Sequence, residues 1–456
     1  MNNKLFGTDG VRGVLNESLT PEFVTRLALA IGFYFQPGSR ILVGMDARAG
    51  GDAIKRIVIG ALMLSGVKVY DGGYTPTPAL QYVVKTQGFD GGVMITASHN
   101  PPEYNGIKVI GPHGIEVDRE EERKIEEYFL EEKARRIPWN TVPERAERFE
   151  LVNDIYVKGV LEHVDKELVK HRGFKVLVDA ANSVGALTTP MILRELGAKP
   201  IVVNGTLDPL FPGRNPEPAV ETLRETAAMV ASSNADVGIA HDADADRAII
   251  IDEKGTVRWG DRTATILAKY LKTERGENGK VYTAVSSSIL VEEVLREVGL
   301  EVVWLKVGSV DIAHTLRRNG DALCGFEENG GFMYPPHQFV RDGGLTTALI
   351  LEALAKWKIK ASELYNSLPK YYTLKLKYKM PREKAEIVVE KVKHAYGKYR
   401  VTIIDGVRVV GEDFWFLVRP SGTEPLLRVM IEAKSEEKVS SLKEALESLI
   451  QEVIGK

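Results

Sequence analysis

The sequence predicts an α/β protein: three related α/β domains with mixed sheets around a central cleft, followed by a smaller C-terminal α+β domain. Three observations carry this expectation. A strand–loop–helix–strand plan recurs three times along the chain. Each recurrence runs on to a strand that ends in an unusual polar cluster, and the pattern changes style after about residue 368.

The first recurrence opens with "RILVGMDARAG" (40–50), passes through an apolar-periodic helix and closes with "SGVKVYDGG" (65–73). The second opens with "FKVLVDAANSVG" (174–185) and closes with "LGAKPIVVNG" (196–205). The third runs from "KVYTAVSSSI" (280–289) through the helix "LVEEVLREV" to "GLEVVWLKVG" (299–308). Each is a β-branched strand, a loop of small residues, a helix stopped by Gly and a second apolar strand, which is a βαβ unit. Near-continuous apolar strands such as "KVLV" and "VVWL" suit a parallel sheet covered on both faces.

The polar clusters that follow are "GGVMITASHNPP" (91–102), "ADVGIAHDADADRAIIID" (235–252) and "ALCGFEENGG" (322–331). Ligands of open α/β sheets sit beyond the carboxyl ends of strands, so three clusters at equivalent places point to one shared cleft. The charged stretch 119–149 reads as a solvated helix leading out of the first domain. From 369 onward, "YYTLKLKYKM", a charged helix over 382–396, two apolar strand regions and a helix over 435–453 read as the α+β domain. The expected boundaries are 1–150, 151–253, 254–368 and 369–456, with a hinge near 365–372.

Composition narrows the class. With 456 residues, 44% hydrophobic and 27% charged, the chain can bury several cores. A net charge of −3 points to neither a nucleic-acid nor a membrane surface, so anionic substrates must be met by local basic groups. A single cysteine, Cys324, excludes an internal disulfide and fits a reducing cytosol. "MNNKLFGTDGVRG" lacks the apolar core of a signal peptide, and no apolar run reaches the ~18 residues of a membrane span. A cytoplasmic enzyme is the expectation, its oligomeric state left open.

In "HDADADR" (241–247), Asp242, Asp244 and Asp246 alternate between two apolar strands. Three carboxylates so close repel one another without a cation, and hard oxygen ligands at this density suit Mg²⁺ or Ca²⁺. A Ca²⁺ loop fails on Arg247, which stands where the turn needs Gly, and on the strand-like flanks. Mg²⁺, with a coordination position left for a phosphate oxygen, is the better reading; a solvated acidic turn is the bland one.

In "TASHNPPEYNGIK" (96–108), Pro101 and Pro102 keep Asn100 out of helix and place Ser98 on a loop. Asn105-Gly106 is a hairpin-type turn signal that would fold Lys108 back towards Ser98. By itself Ser98 reads equally as a catalytic serine or as part of a turn. A hydrolase triad is disfavoured, with no G-x-S-x-G elbow and no acid assignable to His99. Walker A and G-x-G-x-x-G signals are missing, which argues against ATP or NAD chemistry.

"VRPSGTEPLLRV" (418–429) offers Arg419, Ser421, Gly422, Thr423 and Arg428 as a dianion cradle, against the plainer reading of a polar hairpin loop. Glu327 and Asn329 in "GFEENGG" have the chemistry to bind vicinal sugar hydroxyls, and Arg12 in "GTDGVRG" is a further phosphate contact. Each of these two signals is weak alone.

Taken in order, from "GTDGVRG" to "RPSGTEP", the motifs resemble the α-D-phosphohexomutase family over the whole chain. "TASHNPPEYNGIK" and "DADADR" are the most specific. The resemblance implies four domains around a central cleft. It implies that Ser98 carries a phosphoryl group, and that Asp242, Asp244 and Asp246 bind Mg²⁺ together with the Ser98 phosphate. Lys108 and His99 match acid/base or phosphate-facing positions, and Arg247 one that neutralises the transferring group. Glu327 and Asn329 fall on the sugar loop. Arg419, Ser421, Gly422 and Thr423 fall on the loop for the phosphate that is not transferred, and Arg12 near the active phosphate. The sequence departs from the pattern at Asn329, where many members have Ser, at Gly331, where several have His, and in "KVGSVDI" (306–312).

The implied activity interconverts hexose 1- and 6-phosphates of glucosamine, mannose or glucose through a hexose 1,6-bisphosphate. Two alternatives are a Mg²⁺-dependent phosphatase using an aspartate of "DADAD", and a non-catalytic sugar-phosphate sensor.

Overall fold

A computed structural model of the chain describes residues 5–7, 9–421 and 425–455. Four sheets organise the described residues. The first unit contains β1 (Val11–Val14), α1 (Pro21–Tyr34), β2 (Arg40–Met45), α2 (Gly51–Leu64), β3 (Lys68–Tyr74), α3 (Thr77–Thr86), β4 (Gly91–Ile95), β5 (Tyr104–Ile110), α4 (Arg119–Leu130) and β6 (Glu147–Arg148). Their sheet runs β1-β5-β4-β2-β3-β6.

The second unit holds α5 (Val152–Leu161), α6 (Lys166–Arg172), β7 (Lys175–Asp179), α7 (Gly185–Glu195), β8 (Lys199–Val203), α8 (Arg224–Ser232), β9 (Val237–Ala240), β10 (Ile249–Asp252) and β11 (Val257–Arg258). The third holds α9 (Gly260–Thr273), β12 (Lys280–Ala284), α10 (Leu290–Glu297), β13 (Val302–Leu305), α11 (Ser309–Asn319), β14 (Ala322–Phe326), β15 (Phe332–Met333), α12 (Gly343–Trp357) and α13 (Ala361–Asn366). Their sheets run β11-β10-β9-β7-β8 and β13-β12-β14-β15.

These three sheets share one kernel. In each, a central strand (β2, β7, β12) pairs in parallel with two neighbours, and the later neighbour (β4, β9, β14) turns back as an antiparallel partner (β5, β10, β15). The three polar clusters of the sequence are the three turns of that return. The repeat therefore places Ser98, the aspartates and Glu327 at topologically equivalent points.

One core joins the three units. Leu80 and Val83 of α3, Val160 of α5, Ile192 of α7, Leu267 of α9 and Leu349 of α12 belong to a single buried cluster. Helix α12 is buried from Gly343 through Ala355 and is apolar around most of its circumference, as befits a central helix. Its start is capped by Asp342, which accepts from the Leu345 amide at 2.8 Å.

The last unit comprises β16 (Tyr372–Lys379), α14 (Arg382–Ala395), β17 (Arg400–Thr402), β18 (Val407–Val410), β19 (Phe414–Pro420), β20 (Leu426–Ala433) and α15 (Glu436–Ile454). Its sheet, β16-β20-β19-β18-β17, is antiparallel throughout. Buried Glu432 fastens it to the third unit, accepting from Arg262 at 2.9 Å and from Ser288, with Trp415 donating at 2.5 Å. Arg408 lies between Trp304 and Trp415, its guanidinium 3.6 and 4.5 Å from the ring centres. Any rotation about the segment before β16 has to break this interface.

The stretch 119–149 departs from its reading as one solvated helix. Only 119–130 is α-helical, and Ile125 and Phe129 are buried in the core that includes α1. The remainder is irregular apart from a 3-10 turn at Trp139–Thr141, and it ends in β6, which pairs with β3. Ile125 and Phe129 lie four residues apart on one face of α4, so its second half is amphipathic where charge density concealed it.

Candidate active site

The Ser98 loop is built by backbone economy. β4 and β5 pair antiparallel with Met94 opposite Lys108, so the hairpin turns through the Ser98 loop itself. Asn105-Gly106 is not the turn: both residues lie inside β5, where Gly106 pairs with Arg12 of β1. A Cβ on Gly106 would stand 2.6 Å from the Val11 carbonyl oxygen and 2.7 Å from that of Thr96, so the glycine permits close approach of neighbouring backbone.

Ser98 itself has φ +51°, an uncommon backbone state for a non-glycine residue and one that recurs at functional sites. Buried Arg48 holds the loop in that shape. Its Nη1 donates to the carbonyls of Pro101 and Tyr104, and its Nη2 to those of Ser98 and Asn100, all within 3.0 Å. Asp46 accepts from Thr96 Oγ1 at 2.6 Å, and the same Thr96 oxygen accepts the Ser98 amide at 2.8 Å. Burial raises the Asp46 carboxyl to about 6 against the opposing pull of Arg48.

Opposite this loop stand the three aspartates between β9 and β10. Asp242 Oδ2 accepts from Ser98 Oγ at 2.9 Å. Asp244 Oδ2 accepts from Thr77 Oγ1 at 2.7 Å and from Lys108 Nζ at 3.0 Å. Ligand oxygens of Asp242, Asp244 and Asp246 lie within 4.8 Å of one another. The residues fit a hard divalent cation: all three are buried, and the second oxygens of Asp244 and Asp246 make no hydrogen bond. Burial, with Asp246 and Asp244 beside it, pushes the Asp242 carboxyl well above the usual carboxylate range. A nearby divalent charge reverses that effect.

Four cations surround the carboxylates. Buried Lys108 Nζ sits 2.9 Å from Asp9, 3.0 Å from Asp244 and 3.5 Å from Asp246. Burial acts to lower its pKa, but these neighbours outweigh burial and hold it above the ordinary lysine range. Arg12 donates to the Ala97 carbonyl at 3.1 Å and to Asn100 at 2.7 Å. Arg247 Nη2 donates to His99 Nδ1 at 2.8 Å, while its Nε lies 3.7 Å from both Asp242 and Asp246. Arg341 reaches Asp9, Asp246 and Glu327.

His99 is not poised to activate Ser98. Its Nδ1 lies 3.4 Å from Ser98 Oγ but accepts the shorter bond from Arg247, whereas the serine donates to Asp242. Burial and the adjacent Arg247 hold His99 well below the ordinary histidine range, so the ring is neutral. An acid does stand beside it: Glu217 Oε2 is 3.6 Å from His99 Nε2. The sequence offered no sign of that pairing, because 118 residues separate the two.

The structure joins the first loop, the aspartates and Glu327 at one place. Buried Glu327 accepts from Arg341 at 3.2 Å, and burial raises its carboxyl despite that cation. Asn329 Oδ1 accepts the Gly331 amide at 3.2 Å and so braces its own turn. In the last unit, Arg419 is opposite Arg428 and Arg428 opposite Lys377 in adjacent strand pairs. Like charges so placed repel. Arg419 Nε is 3.2 Å from Asp405, and Ser421 is buried with its amide on the Leu426 carbonyl at 2.8 Å. Gly422 and Thr423 lie outside the described residues.

Sequence reasoning missed Asp9, Arg48, Glu217 and Arg341. Asp9 was within reach, since it shares "GTDGVRG" with Arg12. The other three are single charged residues in ordinary contexts, and only the fold gives them partners.

Four family models match the chain: domains I, II and III (alpha/beta/alpha) and the C-terminal domain of phosphoglucomutase/phosphomannomutase, at residues 3–136, 154–255, 259–372 and 376–449. A phosphoglucosamine/phosphogalactosamine mutase of Sulfurisphaera tokodaii is 52% identical over 98% of this chain and 99% of its own. A phosphoglucomutase/phosphomannomutase of Thermococcus kodakarensis is 41% identical over 99% of each. A solved phosphoglucomutase/phosphomannomutase family protein of Burkholderia thailandensis shares the fold with TM-score 0.87 at 24% identity, over 98% of this chain and 97% of its own. With all four domain models matched in order over nearly the whole chain, this protein belongs to the phosphoglucomutase/phosphomannomutase family.

Proposed function

We propose that the chain is a phosphohexomutase that moves a phosphoryl group between the 1- and 6-hydroxyls of a hexose phosphate, with glucosamine phosphate as the preferred substrate. The observation that carries the reading is the placement of Ser98 Oγ 2.9 Å from Asp242, inside a ring of aspartates, lysine and arginines drawn from three units. The amino-sugar preference rests on the relative that shares 52% of its residues with this chain.

Phosphorylated Ser98 donates to the free hydroxyl of the bound sugar. The Oγ–P bond breaks, the sugar O–P bond forms, and the hydroxyl proton passes to a base within hydrogen-bond reach. His99 could take that proton only by giving up the bond that its Nδ1 accepts from Arg247, since Lys108 stays charged. The hexose 1,6-bisphosphate then turns over and returns its other phosphate to Ser98.

Such transfer depends on positioning and charge neutralisation more than on covalent help. Lys108 and Arg247 supply fixed positive charge beside the transferring group. Asp242, Asp244 and Asp246 would hold Mg²⁺, which supplies Lewis-acid neutralisation of phosphoryl oxygens. Glu327 and Asn329 face the sugar hydroxyls. Arg419, Ser421 and Arg428, with Gly422 and Thr423, hold the phosphate that is not in transfer, and either phosphate fits that cradle. Among the described residues no helix is long and apolar enough to cross a membrane, consistent with small dissolved substrates.

The test is a coupled assay on glucosamine, mannose and glucose phosphates, primed with bisphosphate, beside intact-mass analysis. Ser98→Ala should lose one phosphate of mass and essentially all activity. A fully active Ser98→Ala enzyme releasing inorganic phosphate would instead establish the phosphatase, and binding without turnover by the wild type would establish the sensor.

A further inference from the structure

Gly331 and Arg341 occupy one another's space. An ideal Cβ on Gly331 would stand 2.2 Å from Arg341 Cδ and 2.7 Å from its Cγ, and its three nearest atoms all belong to the Arg341 side chain. Gly331 does not need glycine for its φ. The lack of a side chain at 331 thus serves to let the arginine pass. The position is one of those at which the sequence departs from its resemblance, with Gly where several members have His.

Passing there, Arg341 reaches all three α/β units. Its Nη2 contacts Asp9 at 3.0 Å and Asp246 at 2.5 Å, and its Nη1 contacts Glu327 at 3.2 Å. It is 6% exposed and projects from the residue just before the N-cap of buried α12, which makes its base rigid. Two of these partners are groups that the proposed reaction recruits. Asp246 would help to hold a metal and Glu327 would meet sugar hydroxyls, and substrate binding would then free N–H donors of the guanidinium between them.

We propose that Arg341 is a substrate-binding residue of this chain, gripping the transferring phosphoryl group from the side of the sugar loop, and that Gly331 is required because it opens the arginine's path. The proposal rests on the phosphohexomutase reading. Five carboxylates (Asp9, Asp242, Asp244, Asp246 and Glu327) meet the four cations Arg12, Lys108, Arg247 and Arg341, so losing one cation leaves a dianionic group poorly compensated. A guanidinium also spans two acceptors at once, which a lysine ammonium on a flexible stem does not.

The experiment compares wild type, Arg341→Lys, Gly331→Ala and the double variant, each at a temperature where circular dichroism shows it folded. Readouts are kcat/KM on the hexose phosphate that the wild type isomerises, and calorimetric affinity for hexose 1,6-bisphosphate in a Ser98→Ala background. Arg341→Lys should lower both by ~10-fold or more, as loss of a fixed donor to a phosphoryl group does. Gly331→Ala should reproduce the loss with the arginine intact. The double variant should be no worse than Arg341→Lys within ~3-fold, because the two changes remove one interaction. Arg341→Lys within ~3-fold of wild type on both readouts, or losses that multiply in the double variant, overturns the proposal. Should Arg341→Lys not fold, Gly331→Ala decides by the same limit. A wild type inactive on every hexose phosphate overturns the functional reading instead, and the calorimetric arm still judges Arg341.

Discussion

Replacing Lys108 with methionine keeps an unbranched stem of similar length and removes the charge at the centre of three carboxylates. Each Lys108 contact, at 2.9, 3.0 and 3.5 Å, is a pair worth about 5 kcal/mol at an effective dielectric of 20. Desolvation of the buried ammonium offsets much of that sum. What remains on deleting one partner of a buried ionic cluster is about 3–5 kcal/mol of lost stability. At about 2.1 cal/mol/K of unfolding entropy per residue, 4 kcal/mol lowers Tm by roughly 4 °C if the whole chain unfolds together, and by roughly 14 °C if the first ~140 residues unfold alone.

The same deletion makes the aspartates a stronger cation site, since a competing charge has gone. Calorimetric scans of both proteins, in EDTA and in millimolar MgCl₂, check this. The variant should melt lower than wild type in EDTA and gain more from Mg²⁺, about 1.4 kcal/mol more for each tenfold gain in affinity. Equal Tm values in EDTA, or a Mg²⁺ shift no larger than that of wild type, would refute the balance of charges drawn above.

Arg48→Lys keeps the positive charge but not the fork that binds four carbonyls around Ser98. It should lower kcat by ~10-fold or more, and activity within ~2-fold of wild type would show that the loop holds its shape unaided. Glu116→Gln tests a buried carboxyl that burial, and then Asp9, raise to about 7 from 4.5. With a raised folded pKa, wild-type stability from this group is full below about pH 4.5 and falls as pH rises towards 7. Urea midpoints should therefore show Glu116→Gln gaining on wild type between pH 4.5 and 8, by up to about 3 kcal/mol. A stability difference that does not change with pH counts against that burial effect.

Much of the architecture was legible in the chain itself. Period and punctuation marked the three βαβ units, because strands buried on both faces must be apolar and helices must stop where glycine permits. Ser98 and the aspartates were legible because their chemistry is concentrated in single loops. Two local readings failed. Asn105-Gly106 has turn chemistry, yet close backbone approach within β5 uses the glycine. The charged run 119–149 hid the apolar stripe that fastens α4 to α1.

What the sequence alone determined is the kernel repeated three times and the loops that end it, since both follow from local periodicity and from residue types that tolerate few alternatives. Tertiary structure alone decided which isolated charges meet there. Asp9, Lys108, Arg341, Asp246 and Glu327 come from all three units, and their roles arise from separations of about 3 Å in a buried setting. Electrostatic energy depends on distance through space and on burial, and neither is written in the spacing of residues along a chain.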